Sequence, residues 1–180
     1  VTADLRRQAK AINFGIIYGM SAFGLARQLE ISQKMAKTYI DSYFSRYPGV
    51  QRFLEHTIEE ARRIRRTNTL LGRIRLLPDI THSNSIIRQA AERTAINTPI
   101  QGSAADLIKV AMIRIDEALT REGFQAAMLL TVHDELVFEL PPDEVDAVAR
   151  RVRDIMEGIW ELKVPLKVNV AIGSNWAEAH

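Results

Sequence analysis

The sequence predicts an α+β fold, with a helical region first and a smaller region containing an antiparallel sheet after it. Amphipathic patterns with helix-capping residues fill most of residues 2–66, and two apolar arms flank an acidic turn near residue 134. Of the 180 residues, 47% are hydrophobic, which is enough to bury one sizeable core or two small ones.

Four helices are predicted in succession before any strand. Thr2 and Ser32 are N-cap residues, and Pro48 separates the third helix from the fourth. The predicted helices cover residues 5–18, 21–29, 32–47 and 50–66. Residues 68–78 then predict a hairpin that turns at Gly72.

The second half of the chain changes from helix to strand. Helices are predicted over residues 85–97 and 104–119, with a break near Pro99. Arms at residues 126–132 and 136–140 form a hairpin whose turn is His133, Asp134 and Glu135. A last helix over residues 143–161 and a strand over residues 166–172 complete the pattern.

Charge is distributed unevenly along the chain. Residues 1–75 carry 14 Lys and Arg against 6 Asp and Glu, whereas residues 76–180 carry 10 against 16. The basic part suits a polyanion and the acidic part suits a cation, although solvated helix faces would give the same totals. The sequence has no cysteine, so any metal must be held by oxygen or imidazole ligands. With no apolar run of about 20 residues, we expect a cytoplasmic protein without a membrane partner.

Four residues at four-residue spacing form a stripe along the first helix. Arg6, Lys10, Phe14 and Tyr18 cover about 18 Å, with the cations first and the rings second. A nucleoside triphosphate has the same polarity, because its phosphates and its base lie at opposite ends. The stripe therefore predicts a nucleotide site. The alternative is that the rings are core residues and the cations are only solvated.

Two further groups of polar residues have the spacing of a binding surface. The turn at His133, Asp134 and Glu135 is held between apolar arms, and Mg²⁺ requires such hard oxygen ligands. Arg93, Asn97 and Gln101 recur every four residues, which predicts that they face one way along a helix. For the acidic turn, the alternative is an ordinary solvated turn. For the three helical residues, the alternative is ordinary helix capping.

The residues around these motifs closely resemble those of family A DNA polymerases. The segment RRQAKAINFGIIYG (residues 6–19) resembles the family's nucleotide-binding signature. The segments QAAERTAINTPIQGSAADLI (residues 89–108) and LLTVHDELVFEL (residues 129–140) resemble the next two motifs, in the family's order. The resemblance implies helical fingers over residues 1–84 and part of a polymerase palm, with the antiparallel sheet, over residues 85–180.

The resemblance also implies roles for the stripe. Arg6 and Lys10 would contact the incoming deoxynucleoside triphosphate, and Lys10 would also be the candidate proton donor to pyrophosphate. Tyr18 would lie at the templating position. Phe14, rather than Tyr, resembles family members that discriminate against dideoxynucleotides.

The other motifs receive roles in the same way. Asp134 would be the second of the family's metal-binding aspartates, with Glu135 a weaker candidate, in a two-metal Mg²⁺ site. His133 would lie near the primer end of a primer-template DNA. Arg93, Asn97 and Gln101 would contact the minor-groove side of the new duplex. His-Asp followed by Glu also favours DNA synthesis over the RNA synthesis of phage-type polymerases.

One expected part of the family pattern is missing from the sequence. The other metal-binding aspartate lies in a segment that reads like Asp-Tyr-Ser-Gln-Ile-Glu-Leu, and nothing similar occurs here. We therefore expect a partial DNA-directed DNA polymerase domain, without an obligate protein partner, that is inactive alone. The alternatives are a helical nucleic-acid-binding module without catalysis and a metal-dependent phosphohydrolase.

Overall fold

A computed structural model describes residues 2–179, with residues 3 and 4 described through their backbone alone. The α-helices are α1 (Ala3–Ile17), α2 (Ala22–Leu29), α3 (Gln33–Arg46), α4 (Pro48–Ile64), α5 (Ser85–Asn97), α6 (Ser103–Glu122), α7 (Val145–Glu157) and α8 (Trp176–Ala179). The strands are β1 (Arg66–Asn68), β2 (Ile74–Leu76), β3 (Ala127–Val132) and β4 (Glu135–Glu139). Both sheets are antiparallel two-stranded hairpins, β1 with β2 and β3 with β4. The α+β prediction is confirmed.

The chain divides into two compact units, of which one ends at Ser103 and the other begins at Ala104. The sequence predicted fingers over residues 1–84 and palm over residues 85–180. Helix α5 belongs to the first unit because Ala91 and Ala95 are buried in one cluster with Ala61 of α4. Whether the units correspond to fingers and palm stays a prediction.

The predicted capping residues begin the first helices. The hydroxyl of Thr2 accepts the amide of Leu5 at 3.3 Å, and the hydroxyl of Ser32 accepts the amide of Met35 at 3.2 Å. Pro48 is the first residue of α4, where its missing N–H leaves no helical bond unmade. These local signals explain why the four predicted helices agree with α1 to α4 to within a few residues.

The helix at Pro99 widens where the sequence predicted a break. Residues Thr98–Gly102 form a π-helical turn, so helical backbone continues from α5 through Ser103. A π turn shifts the hydrogen-bond register by one residue, which accommodates a proline that has no amide to donate. The predicted break is therefore wrong.

The second unit has a core of its own. Apolar residues of α6, of α7 and of the segment after α7 form its buried centre, with half-buried residues of β4 packed against them. The buried members are Ala111, Ile115, Leu119, Val148, Val152 and Ile159. This packing holds the hairpin from one side, so its turn projects from a fixed base.

Two predicted elements of the second unit differ from the structure: a helix is shorter than predicted, and a strand does not form. The last helix ends at Glu157, because Gly158 follows it, and does not reach residue 161. Residues 166–172 form no strand, although the amide of Val168 donates to the Glu157 carboxylate at 3.0 Å. An extended segment becomes a strand only when another strand accepts its backbone hydrogen bonds, and none of the described strands pairs with this one.

Within residues 2–179, no helix is both long and apolar enough to cross a bilayer.

Candidate nucleotide, DNA and metal sites

The stripe on α1 lies on the surface of the first unit. Arg6 and Lys10 are exposed, and the ring of Phe14 is 46% exposed. The rings of Phe14 and Tyr18 are stacked, with centroids 6.1 Å apart and planes inclined by 17°. Phe14 is therefore not a core residue, and a flat aromatic surface continues the line of cations.

A cleft of about 460 Å³ runs along this stripe. Its walls include Lys10 and Phe14 of α1, Tyr18 at the C-cap of α1, and Met20 and Gln28 from beyond the end of the helix. Arg6 does not line the cleft, whereas its neighbour Arg7 does. The structure thus brings three of the four stripe residues together around one concave surface, whose lining also includes the cation of Arg7.

Sequence reasoning missed Gln28 as a residue of this cleft. Gln28 lies on α2, which returns beside α1 after the turn at Gly19, where φ is 74°. Glycine tolerates this left-handed conformation, and the turn therefore carried a signal that α1 and α2 are adjacent. The signal does not specify which face of α2 meets the cleft.

A hydrogen bond connects helix α1 to α3. The hydroxyl of Tyr43 in α3 donates to the side-chain oxygen of Asn13 at 2.8 Å. Burial, followed by the nearby Tyr47, raises the pKa of Tyr43 above its ordinary value. Asn13 directly precedes Phe14, and this bond therefore fixes α1 next to its exposed ring.

The residues Arg93, Asn97 and Gln101 differ in how they meet solvent. Arg93 and Gln101 are exposed, but Asn97 is half-buried, and its side-chain oxygen is enclosed without a hydrogen-bond partner among the described residues. Asn97 directly precedes the π turn and Gln101 lies within it, so the regular α-helical rotation that the prediction assumed does not apply to this pair. That these three residues bind DNA stays a prediction.

The acidic hairpin has a shorter turn than the sequence indicated. Glu135 pairs with Val132 as the first residue of β4, which leaves His133 and Asp134 as the turn. His133 adopts a left-handed conformation with φ of 56°. The side chains of His133, Asp134 and Glu135 are all exposed.

The second unit offers hard oxygen ligands, but in a small number. Asp134 lies in the turn and Glu135 in the strand that follows it. No group of three or more His, Cys, Asp or Glu side chains converges on one point within residues 2–179. The donor chemistry fits Mg²⁺, whereas the number of ligands fits only part of a metal site.

Comparison with solved structures identifies the class of protein. The chain matches a structure described as "POL domain of Pol1 from M. smegmatis complex with DNA primer-template and dNTP" with a TM-score of 0.95 and 47% identity. The match covers 99% of this chain and 32% of that one. The fold is therefore that of a polymerase domain.

The family follows from comparison of sequences. The model of DNA polymerase family A matches residues 1–178, and the chain belongs to that family. It is 52% identical to the DNA polymerase I of Pseudomonas aeruginosa over 180 residues and 51% identical to that of Bacillus caldotenax over 179 residues. These matches cover 100% and 99% of this chain, but only 20% of each relative. The chain thus spans about a fifth of the length of these curated relatives.

Proposed function

We propose that this chain supplies the nucleotide-binding helix and one metal-binding hairpin of a DNA-directed DNA polymerase. The cleft along α1 carries the proposal, because it combines a cation and two stacked rings in a single concave surface. Membership of DNA polymerase family A supports the same reading. The reaction would join a deoxynucleotide to the 3′-hydroxyl of a primer, with pyrophosphate as leaving group.

The α1 stripe would bind the deoxynucleoside triphosphate. Arg6 and Lys10 would contact the phosphates through charge-assisted hydrogen bonds, and both side chains are accessible to solvent. Phe14 and Tyr18 would offer their faces to sugar and base. The Lys10 ammonium would donate a proton to the departing pyrophosphate, which removes charge where it accumulates.

Primer-template DNA is the proposed macromolecular partner. Residues 1–103 carry 16 Lys and Arg against 8 Asp and Glu, so the whole first unit attracts a polyanion. Arg93, Asn97 and Gln101 would approach the minor groove, whose acceptors are similar for different base pairs. The solved relative in complex with primer-template and dNTP supports this choice of partners.

The acidic hairpin would provide part of a Mg²⁺ site. Asp134 would be the principal ligand and Glu135 a secondary one, because both are exposed oxygen donors close together in the chain. When bound, Mg²⁺ ions stabilise the negative charge of the attacking and leaving oxygens. His133, at the same turn, would lie near the primer end. We place the protein in DNA replication and repair, in the cytoplasm and associated with the nucleoid.

One observation favours a second candidate function. The described residues contain no cluster of three metal ligands, as expected for a nucleic-acid-binding module without catalysis. In that case the first unit would bind the DNA backbone and the acidic turn would be structural. Loss of the Asp134 carboxylate would then leave nucleotide incorporation unchanged.

The test uses a complete polymerase in which this chain replaces the matching 20% of the P. aeruginosa enzyme. We call this protein the chimeric polymerase. Asp134→Asn removes the carboxylate charge proposed to bind Mg²⁺, so it should abolish template-directed incorporation. Because it replaces a single oxygen atom, primer-template binding should stay intact. The matched control is Asp143→Asn, another exposed aspartate of the second unit, outside the turn.

The product identifies the reaction. Release of pyrophosphate with one added nucleotide supports the polymerase, whereas release of inorganic phosphate without primer extension would favour the phosphohydrolase. If Asp134→Asn and Asp143→Asn extend primers equally well, the catalytic role of the hairpin is wrong.

A further inference from the structure

Four buried polar residues meet where the turn of the β1–β2 hairpin contacts the π turn. Thr67, Thr69, Thr98 and Ser103 are each 7–8% exposed, and all lie in the first unit. A buried hydroxyl without a partner is costly, so each of these groups requires a hydrogen bond. The bonds of two of them, Thr67 and Ser103, connect segments that the sequence separates by 28 and 33 residues.

Pro99 creates the first of these requirements. In an α-helix the carbonyl of Ala95 accepts the amide of residue 99, but proline has no amide hydrogen. Here the hydroxyl of Thr67, from β1, donates to the Ala95 carbonyl oxygen at 3.4 Å. The hairpin thus supplies a hydrogen-bond donor to the carbonyl that Pro99 cannot donate to.

Ser103 forms the second connection. Its hydroxyl donates to the carbonyl oxygen of Pro99 and accepts the amide of Leu70 at 2.7 Å. Leu70 lies in the turn between β1 and β2. One buried hydroxyl therefore bridges the hairpin turn and a carbonyl inside the π turn.

The two segments also approach too closely for a side chain at one position. A Cβ atom on Gly102 would lie 2.8 Å from the methyl carbon of Thr69. The hydroxyl of Thr69 accepts the amide of Arg73 at 3.0 Å, which restrains the rotation of its side chain. The hairpin and the π turn are therefore locked together by hydrogen bonds and by steric contact.

We propose that Ser103 and Thr67 are positioning residues for the contact between Gln101 and DNA. They hold the π turn, and the π turn sets the direction of Gln101 relative to Asn97 and Arg93. If the turn relaxed towards α-helical register, Gln101 would rotate away from its present direction. The inference rests on the proposed function, because it assumes that Gln101 meets the minor groove of a primer-template.

A modified primer tests the inference in the chimeric polymerase. Adenine presents its N3 acceptor in the minor groove, and 3-deazaadenine replaces that nitrogen with carbon but keeps the base-pairing edge. The measured quantity is the ratio of extension rates from primers ending in the two bases. Loss of one hydrogen bond should give a ratio of about three- to tenfold for the unaltered protein.

The substitutions should change this ratio in a defined order. Gln101→Ala removes the contact itself and should bring the ratio close to one. Ser103→Ala should lower the ratio towards the same value, Thr67→Val should do so in part, and Ser103→Thr, which keeps the hydroxyl, should preserve it. The KM for deoxynucleotide should change little, since the cleft on α1 is lined by other residues.

A matched control separates positioning from stability. Thr94→Val removes a hydroxyl of α5 that donates only to Ala90 within the same helix, so the ratio should not change. Loss of folded protein slows extension from both primers equally and leaves the ratio unaltered. If Ser103→Ala does not fold, Thr67→Val, which nearly conserves side-chain shape, provides the test.

Each result decides between the two proposals. An active chimera whose ratio is the same in the unaltered, Ser103→Ala and Thr67→Val proteins would contradict the positioning role and leave the proposed function intact. An active chimera that extends both primers equally well would contradict the contact between Gln101 and the minor groove, and the positioning role with it. A chimera in which Asp134→Asn has no effect on incorporation would instead contradict the proposed function.

Discussion

The cleft on α1 and the turn between β3 and β4 present their functional groups in different ways. The cleft is formed by side chains from α1, α2 and the segment between them, all within one unit. The turn presents the exposed carboxylate of Asp134 next to that of Glu135 in β4, and among the described residues no group of three metal ligands forms. A nucleotide can be recognised by one continuous surface, whereas a metal ion needs ligands that converge from separate segments.

The two units also differ in charge. Residues 1–103 have a formal net charge of +8, with 16 basic and 8 acidic residues, whereas residues 104–180 have −6, with 8 against 14. A positive unit raises the local concentration of nucleotide and DNA, and a negative one that of cations. We therefore expect substitutions in the hairpin to affect the chemical step, and substitutions in the cleft to affect both binding and chemistry.

The largest effect should come from the hairpin. In the chimeric polymerase, Asp134→Asn should lower kcat more than about 100-fold, because even the hydrogen-bond partners of metal ligands are worth about 10–100-fold. Glu135→Gln should have a smaller effect, since Glu135 lies in β4 and not in the turn. Single-turnover incorporation at saturating deoxynucleotide measures both. Equal losses for the two variants would contradict the ranking.

Lys10 should give the next largest effect. Lys10→Ala should lower kcat by about 100-fold, the usual contribution of a positioned general acid. Lys10→Arg keeps the charge but is a poor proton donor, so it should restore binding of the triphosphate without restoring kcat. Lys37→Ala, which removes an exposed lysine of α3, is the control. Full activity of Lys10→Arg would mean that charge alone is required.

Phe14 should control discrimination between sugars. Phe14→Tyr adds a hydroxyl beside the nucleotide sugar, where one hydrogen bond is worth up to about tenfold. Incorporation of dideoxynucleotides relative to deoxynucleotides should therefore rise by about that factor. The competing-substrate ratio is the measurement, with Phe53→Tyr, another exposed phenylalanine of the first unit, as control. An unchanged ratio would remove Phe14 from the sugar site.

The smallest effect should come from the support of α1. Tyr43→Phe removes the bond to Asn13 and should destabilise α1 by about 0.5 kcal/mol, at the low end for a hydrogen bond. Hydrogen exchange of α1 amides should accelerate about twofold. Because the pKa of Tyr43 is raised above 10.0, this contribution is present at lower pH and is lost as pH rises through the folded-state pKa. Acceleration confined to α3 would contradict the link.

Much of the first unit could be predicted because its signals are local. Thr2 and Ser32 cap helices through bonds to amides three residues away, so the sequence contains both partners. The four-residue spacing of Lys10, Phe14 and Tyr18 is likewise set by helix geometry. It correctly predicted that these side chains share one face, which the cleft confirms.

Other features depend on partners that are distant in the sequence. The strand predicted over residues 166–172 failed because alternation of residues does not provide a neighbouring strand. Ala91 and Ala95 of α5 pack with Ala61 of α4, a contact between distant segments that no local pattern indicates. The sequence predicted a helix break at Pro99. Two hydroxyls accommodate the proline, that of Thr67 from β1 and that of Ser103 directly after the π turn, and the residues next to Pro99 do not reveal either bond.

The sequence alone determined the helices of the first unit, the two hairpins, the polarity of the α1 stripe and the resemblance to family A polymerases. These properties depend on backbone preferences and residue order over short distances. Only the tertiary structure decided that Phe14 is exposed, that Gln28 faces the same cleft, and that Gln101 lies within a π turn that begins directly after Asn97. Burial and close packing depend on which segments that are distant in the sequence come into contact, and local sequence patterns do not specify those contacts.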